Sequence, residues 1–223
     1  QRPLGSIRPL AQALMTLGVL YNRTGRLDLA QQAHEEALRI SEDIRDRELS
    51  AKILQNLSIV FGDRSEYDEA QKLLDLAVLA YQDAGREILP GELYSGKANL
   101  AMDRGEFAQA EGFLEQALAA FREIGDRRNE AMMLNNTGYL RRRQGRLDEA
   151  EDDHLRSLAS REEIGDRVGV GRIYGMLGAV YSARGLYEEA VQAAQEALAI
   201  ARETSDRLFE GTSLAQLADA EEA

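Results

Sequence analysis

The chain has 223 residues and a formal charge of −12, from 27 Lys and Arg against 39 Asp and Glu. So acidic a chain has no general basic face with which to displace counterions, and neither nucleic acid nor a membrane is expected as a partner. Cysteine is absent, which removes disulfides, thiol nucleophiles and thiolate metal sites together, while a 44% hydrophobic content suffices for a core.

One unit then recurs five times at an interval of 40 residues without an insertion: Ala30 returns as Ala70, Ala110, Ala150 and Ala190. In the first copy Leu10, Leu14, Leu17, Gly18 and Tyr21 share one face of a helix expected near 9–23. Arg23-Thr24-Gly25-Arg26 makes a short turn, its glycine suited to the left-handed conformation that ends a helix. Leu27, Ala30, His34, Ala37, Leu38 and Ile44 then line a second helix near 27–44. The second copy predicts helices near 48–63 and 67–84, with Ser65 in the glycine position. The third predicts 90–103 and 107–124, but opens on Leu89-Pro90-Gly91 and carries Ser95-Gly96-Lys97 where helix formers and a core leucine are expected. Its first helix is therefore the weakest and starts late. The fourth predicts 128–143 and 147–164, with Arg141 in a slot that is aromatic in the first, second and fifth copies. The fifth predicts 168–183 and 187–204, and a last first-type helix follows near 208–220. These departures leave two readings open, ordinary repeat drift or a seat shaped for a ligand. Ile124-Gly125-Asp126-Arg127 returns as Ile164-Gly165-Asp166-Arg167, and Asp126, Asp166 and Asp206 are placed to cap the helices that follow. Gly18, Gly138 and Gly178 are expected where each first helix meets the alanine series of the second, so that a bulky side chain there forces the pair apart.

A single helical pair cannot bury its own apolar stripe, so neighbours must stack into a solenoid. The residues that carry this pattern are Leu14, Leu17-Gly18, Tyr21, Ala30, His34 and Ala37 in the first copy and Tyr174, Leu177-Gly178, Tyr181, Ala190, Ala194 and Ala197 in the fifth. They resemble the tetratricopeptide repeat over residues 8–207. This longer variant, without the late proline of the usual repeat, is similar to repeats of the Leu-Gly-Asn polarity adaptors, of kinesin light chains and of bacterial regulators. The resemblance implies an all-α fold: a right-handed superhelix, or α–α solenoid, of five helical hairpins plus one extra C-terminal helix. Repeats are expected near 8–47, 48–87, 88–127, 128–167 and 168–207, within a single domain spanning 8–223.

No catalytic constellation stands out. The two histidines, His34 and His154, occupy the bulky second-helix slot filled by Leu74 and Leu114 elsewhere, and are expected to be buried, structural and far apart. Glu149-Ala150-Glu151-Asp152-Asp153 reads as a solvated helix face without calcium-loop spacing. Gly169-Val170-Gly171 lacks both the preceding strand and the Gly-Lys-Ser/Thr of a phosphate loop. No metal, no cofactor and no enzymatic activity are expected.

The resemblance further implies that the first helices line an inner wall. By repeat position Gln12, Met15, Val19 and Asn22 face it, then Lys52, Gln55, Ile59 and Gly62, then Glu92, Ser95, Asn99 and Met102. Met132, Asn135, Tyr139 and Arg142 follow, then Arg172, Gly175, Ala179 and Ser182. Lys52, Arg142 and Arg172 stand there against Glu92, while acid gathers on the second helices, as at Glu35, Glu36, Asp148 and Glu149. Asn135-Asn136 resembles the paired asparagines of kinesin-light-chain repeats, and Asn56 is the second copy's equivalent of Asn136. Amides offer both donor and acceptor to an extended backbone. The candidate peptide-binding residues are accordingly Lys52, Gln55, Asn56, Asn99, Asn135, Asn136, Tyr139, Arg142 and Arg172.

The expected function is a non-enzymatic module that holds a protein or peptide segment, with acidic residues matched to the arginines. The alternative is a sensory or autoregulatory region of a larger signalling or transcription regulator of the bacterial type. The ends, an unmated helix at 208–220 and a Pro3-Leu4-Gly5-Ser6 opening like a linker or vector remnant over 1–7, read as those of an excised fragment. End-to-end self-association through Leu214 and a cytoplasmic location complete the expectations.

Overall fold

The computed structural model describes residues 7–221; residues 1–6, most of the segment read as a linker remnant, lie outside the described residues. Among the described residues eleven helices follow one another: α1 (Ile7–Arg23), α2 (Leu27–Asp43), α3 (Arg47–Asp63), α4 (Tyr67–Asp83), α5 (Gly91–Asp103), α6 (Phe107–Glu123), α7 (Arg127–Arg143), α8 (Leu147–Glu163), α9 (Arg167–Ala183), α10 (Tyr187–Glu203) and α11 (Arg207–Glu221). No strand occurs among the described residues, and no helix is long and apolar enough to cross a membrane.

Local chemistry sets these bounds. Each turn holds one residue in the left-handed region, at positions 25, 45, 65, 85, 105, 125, 145, 165, 185 and 205. At the first turn the Arg26 N–H donates to the Tyr21 carbonyl (2.9 Å) and the Gly25 N–H to Asn22 (2.9 Å), satisfying carbonyls the ending helix leaves open. Glycine fills most of these positions, but Arg45, Ser65 and Ser205 adopt φ of 57°, 62° and 56°. That conformation costs an L-residue about 1–2 kcal/mol, so the fold imposes the turn even where the residue resists it. Four first helices, α3, α7, α9 and α11, are capped: Asp46, Asp126, Asp166 and Asp206 accept from the backbone N–H three residues on. The side chains before α2, α4, α8 and α10 form no such bond. Pro90, extended at ψ 148°, delays α5, which is 13 residues long where α3 and α7 have 17.

The helices stack as consecutive hairpins, and contacts group them into two compact units, Gln1–Phe113 and Leu114–Ala223. A stack in which each helix touches mainly its neighbours has no single core, which is how a chain read as one domain resolves into units. In the first unit Ala11, Ala37, Leu49, Ile53 and Leu57 join the first hairpin to α3. A second cluster, including Leu54, Leu74, Tyr81, Leu93 and Leu100, ties α3 and α4 to α5. Lys97, in the slot of a missing leucine, keeps its ammonium within 3.4 Å of Asp75 and over the Phe113 ring. In the second unit Met133, Leu140, Ile173, Val180 and Ile200 are buried along α7, α9 and α10. Leu214 on α11 is 45% exposed.

The alanine series is fully enclosed, each member at most 1% exposed. The glycines opposite serve a different end from the one expected. A Cβ on Gly18 would lie 2.6 Å from the His34 ring, and one on Gly138 would lie 2.8 Å from His154. These two glycines make room for imidazoles rather than for the alanines. Gly178 alone meets the alanine side, at an ordinary 3.5 Å from the Ala190 carbonyl.

Candidate functional site

Within each unit successive first helices touch: α1 with α3 and α3 with α5 in one, α7 with α9 and α9 with α11 in the other. Comparable contacts between α2 and α4, or between α8 and α10, are missing. The first helices therefore form a continuous layer in each unit, and their outward residues share one wall.

In the first unit the Lys52 ammonium is exposed but sits 3.2 Å from Glu48, which also holds Arg86 at 2.8 Å. Those two cations outweigh burial and keep the Glu48 carboxyl below its ordinary range. Gln55 is drawn into packing: it is 9% exposed and its Oε1 accepts from the Tyr81 hydroxyl at 2.7 Å, tying α3 to α4. Burial in turn raises the Tyr81 phenol well above its usual value. Asn56 is half-buried and Asn99 exposed. At the end of the same wall Asn22 donates from Nδ2 to Asp63 at 2.9 Å, while its Oδ1 is buried with no partner.

In the second unit Asn135, Asn136, Tyr139 and Arg142 are half-buried along α7. The Arg142 guanidinium lies 5.6 Å from the Tyr139 ring centre, a cation–π contact that holds it against the wall. Two polar atoms there lack partners, the Asn135 Oδ1 and the Arg142 Nε. Arg172 is exposed on α9 and enters no ion pair among the described residues. Gly175 is covered by α11: the Gln216 Oε1 stands 2.9 Å from where a Cβ would project.

Unpaired arginines on that wall contrast with a ladder of pairs elsewhere. Arg64 reaches back to Asp28 (2.5 Å), Arg104 to Asp68 (3.2 Å) and Arg184 to Asp148 (3.0 Å), each from the end of a first helix to the opening turn of the preceding second helix. Arg127 and Arg167 reach forward to Glu163 and Glu203. Such exposed pairs contribute only about 0–1 kcal/mol each, but they neutralise part of the acid on the second helices.

Arg141, one of the departures from the repeat, is an internal partner: its Nη1 lies 2.6 Å from the Asp153 carboxylate, which is 3% exposed. Burial raises the Asp153 carboxyl, against the pull of Arg141 and Arg156. Positional equivalents show a coordinated exchange, with Tyr21 and Ala33 in the first copy, Tyr181 and Ala193 in the fifth, and Arg141 and Asp153 in the fourth. Drift with compensation accounts for this departure without a ligand. His34 and His154 are 1% and 0% exposed, and burial lowers both imidazoles to about 4, with the Arg142 charge adding to the effect at His154. No group of three or more metal-binding side chains occurs among the described residues.

One feature the repeat reading passed over is a cavity of about 330 Å³ bounded by α9, α10 and α11. Its signal was present in the alignment of copies: Ala194 stands where His34, Leu74, Leu114 and His154 fill the same slot.

The tetratricopeptide-repeat family profile matches residues 9–83, 91–163 and 129–203. No curated protein matches by sequence. Among solved structures, BtubC (BKLC) from P. vanneervenii is similar with a TM-score of 0.71 at 26% identity, covering 89% of this chain and 82% of that one. A signal-transduction ATPase with numerous domains, carrying a tetratricopeptide-repeat sensor, from Pyrococcus horikoshii reaches 0.79 at 16% identity. It is covered over 94% of this chain and 32% of its own length. A Rap protein complexed with competence and sporulation factor reaches 0.70 at 13%, covering 96% of this chain and 64% of that one.

Proposed function

The chain belongs to the tetratricopeptide-repeat family, and from that premise we propose that the first-helix wall of its second unit holds an extended peptide segment bearing acidic residues. As a repeat module of this family it is a protein-interaction scaffold, and its work is binding rather than catalysis. The observation that carries the peptide reading is the run of half-buried polar side chains along α7, Asn135, Tyr139 and Arg142, with the Arg142 guanidinium held over the Tyr139 ring and the exposed Arg172 entering no ion pair among the described residues. Amide and guanidinium groups so placed offer an extended backbone and its carboxylates both donors and acceptors. Residues 135 and 142 are two turns apart on one face, about 10 Å, which is the reach of about three extended residues. The guanidinium ends of Arg142 and Arg172 then take carboxylates in paired hydrogen bonds. On the first unit's own wall Lys52, Asn56 and Asn99 offer polar groups of the same kind, and Gln55 contributes there by positioning α3 through Tyr81.

A peptide array tests this directly, using extended segments with zero, one or two acidic residues. Enrichment should follow the acid, and Asn135→Ala, Arg142→Ala and Arg172→Ala should each weaken capture about tenfold, the equivalent of 1.4 kcal/mol. Unfolding should move by no more than about 0.5 kcal/mol per site, since none of the three supports the core. Equal capture across the array would end the reading. A second reading, in which the module senses for a larger regulator, draws on the Pyrococcus horikoshii protein, whose repeats are a sensor. It gains if the array yields nothing while the chain binds a domain of its own parent protein.

A further inference from the structure

The cavity at α9, α10 and α11 lies where two residues of the fifth copy depart from the others, beside a glycine that the repeat also carries at Gly18 and Gly138. Ala194 removes the side chain that His34, Leu74, Leu114 and His154 supply in the other copies. Gly178 leaves the facing wall of α9 bare, with nothing closer than 3.5 Å to a Cβ built on it. Ala179 stands where Tyr139 covers the wall one repeat earlier, so the cavity is not closed from the first-helix side. About 330 Å³ remains, the lower end of the range for small-ligand sites and room for one large side chain. Its floor is apolar, while its polar lining comes from Ser182, Gln216 and Asp219. Asp219 is exposed and enters no ion pair among the described residues, and an ionised carboxylate only accepts hydrogen bonds. Such a lining repels an acidic side chain and favours an apolar body with an N–H or O–H at its tip.

Position relates the cavity to the peptide wall. Ser182 is the fifth copy's equivalent of Arg142, and α7 and α9 are in contact. Packed helix axes stand about 8–10 Å apart, roughly three residues of extended chain at about 3.3 Å each. We propose that the cavity receives one aromatic side chain carrying a donor, Tyr or Trp, from a bound segment whose acidic residue lies about three positions away on Arg142. This rests on the peptide reading above for its occupant, and it adds an anchor that the charge pattern alone does not contain.

The test uses the full chain and two probes. N-acetyl-tyrosinamide, titrated to millimolar concentration and followed by carbon-13 alanine-methyl NMR, should shift Ala179 and Ala194 saturably while Ala30 and Ala70 stay still. Ala194→Leu, which restores the residue found at Leu74 and Leu114, should remove the response at an unchanged or higher Tm. Asp219→Ala, which removes the acceptor, should bring the tyrosinamide affinity down to that of N-acetyl-phenylalaninamide. The second probe is the hexapeptide Gly-Asp-Gly-Gly-Tyr-Gly with blocked ends, expected to bind about tenfold tighter than its Tyr-to-Ala version, a difference of 1.4 kcal/mol that Ala194→Leu abolishes. An absent shift, or one that survives Ala194→Leu, overturns the anchor. Peptide binding that ignores both the tyrosine and Ala194→Leu also overturns it, while leaving the acidic wall intact. Amide binding that Ala194→Leu removes, alongside peptide binding indifferent to Arg142→Ala, supports the anchor and overturns the wall.

Discussion

The fourth and fifth hairpins share a template but treat their interiors in opposite ways. In the fourth, His154 fills the second-helix slot against Gly138, Tyr139 and Arg142 cover the wall, and Arg141 reaches inward to Asp153. In the fifth, Ala194 empties the slot, Gly178 and Ala179 leave the facing side open, and Tyr181 and Ala193 replace the ion pair. Helix lengths and turns are the same in both, 17 residues on either side of a left-handed glycine. The backbone is therefore indifferent to whether the space between helices is polar, packed or empty. What a hairpin can bind is decided by a handful of side chains that the hairpin does not need in order to form.

The largest effect should come from breaking the internal pair of the fourth hairpin. Arg141→Ala leaves the buried Asp153 carboxylate with only the half-exposed Arg156, 3.5 Å away, and a loss of about 3 kcal/mol is expected in urea unfolding, the low end for a broken buried pair. The double change Arg141→Tyr with Asp153→Ala copies the fifth hairpin and should recover most of it, so a double mutant as weak as the single one would reject the exchange.

Acid separates the hairpins next. His154 and His34 have imidazoles lowered to about 4 from an ordinary 6.5. The unfolded chain thus binds more protons between those values, and stability is full above about 6.5 and falls as the pH drops toward 4, by up to about 3 kcal/mol per histidine. Hydrogen exchange should show α7 and α8 losing protection before α9 and α10, which hold no histidine. His154→Leu should abolish that difference.

The glycines give the third contrast. Gly138→Ala pushes a methyl into the His154 ring and should cost about 1–3 kcal/mol, whereas Gly178→Ala meets only ordinary contact and should gain up to about 1 kcal/mol of helix propensity. Equal effects would mean that the imidazole yields freely. The exit turns supply the smallest change: Gly165→Ser should lose, and Ser205→Gly should gain, about 1 kcal/mol in thermal unfolding, because both positions hold φ near +60°.

Much of the fold is legible in the amino-acid sequence, because helices, turns and caps are settled by residues a few positions apart. The 40-residue interval, the capping aspartates and the late start of α5 behind Pro90 are all of this kind. The candidate wall was readable only as a set of positions. Gln55 matched the pattern as well as Asn135 did, yet one is bonded to Tyr81 and the other has an oxygen without a partner. Repeat position says which way a side chain points and not what it meets.

That division has a physical cause. The sequence by itself determined an all-helical stack of equal hairpins, since an apolar stripe of helical period has to be buried against a neighbour and the same stripe recurs in every copy. Only the tertiary structure decided that Gly18 and Gly138 house imidazoles, that Arg141 closes on Asp153, and that the change at Ala194 leaves an open cavity rather than a collapsed one. These outcomes depend on side chains from two or three helices meeting at distances of 3–4 Å, and such meetings are set by packing and not by spacing along the chain.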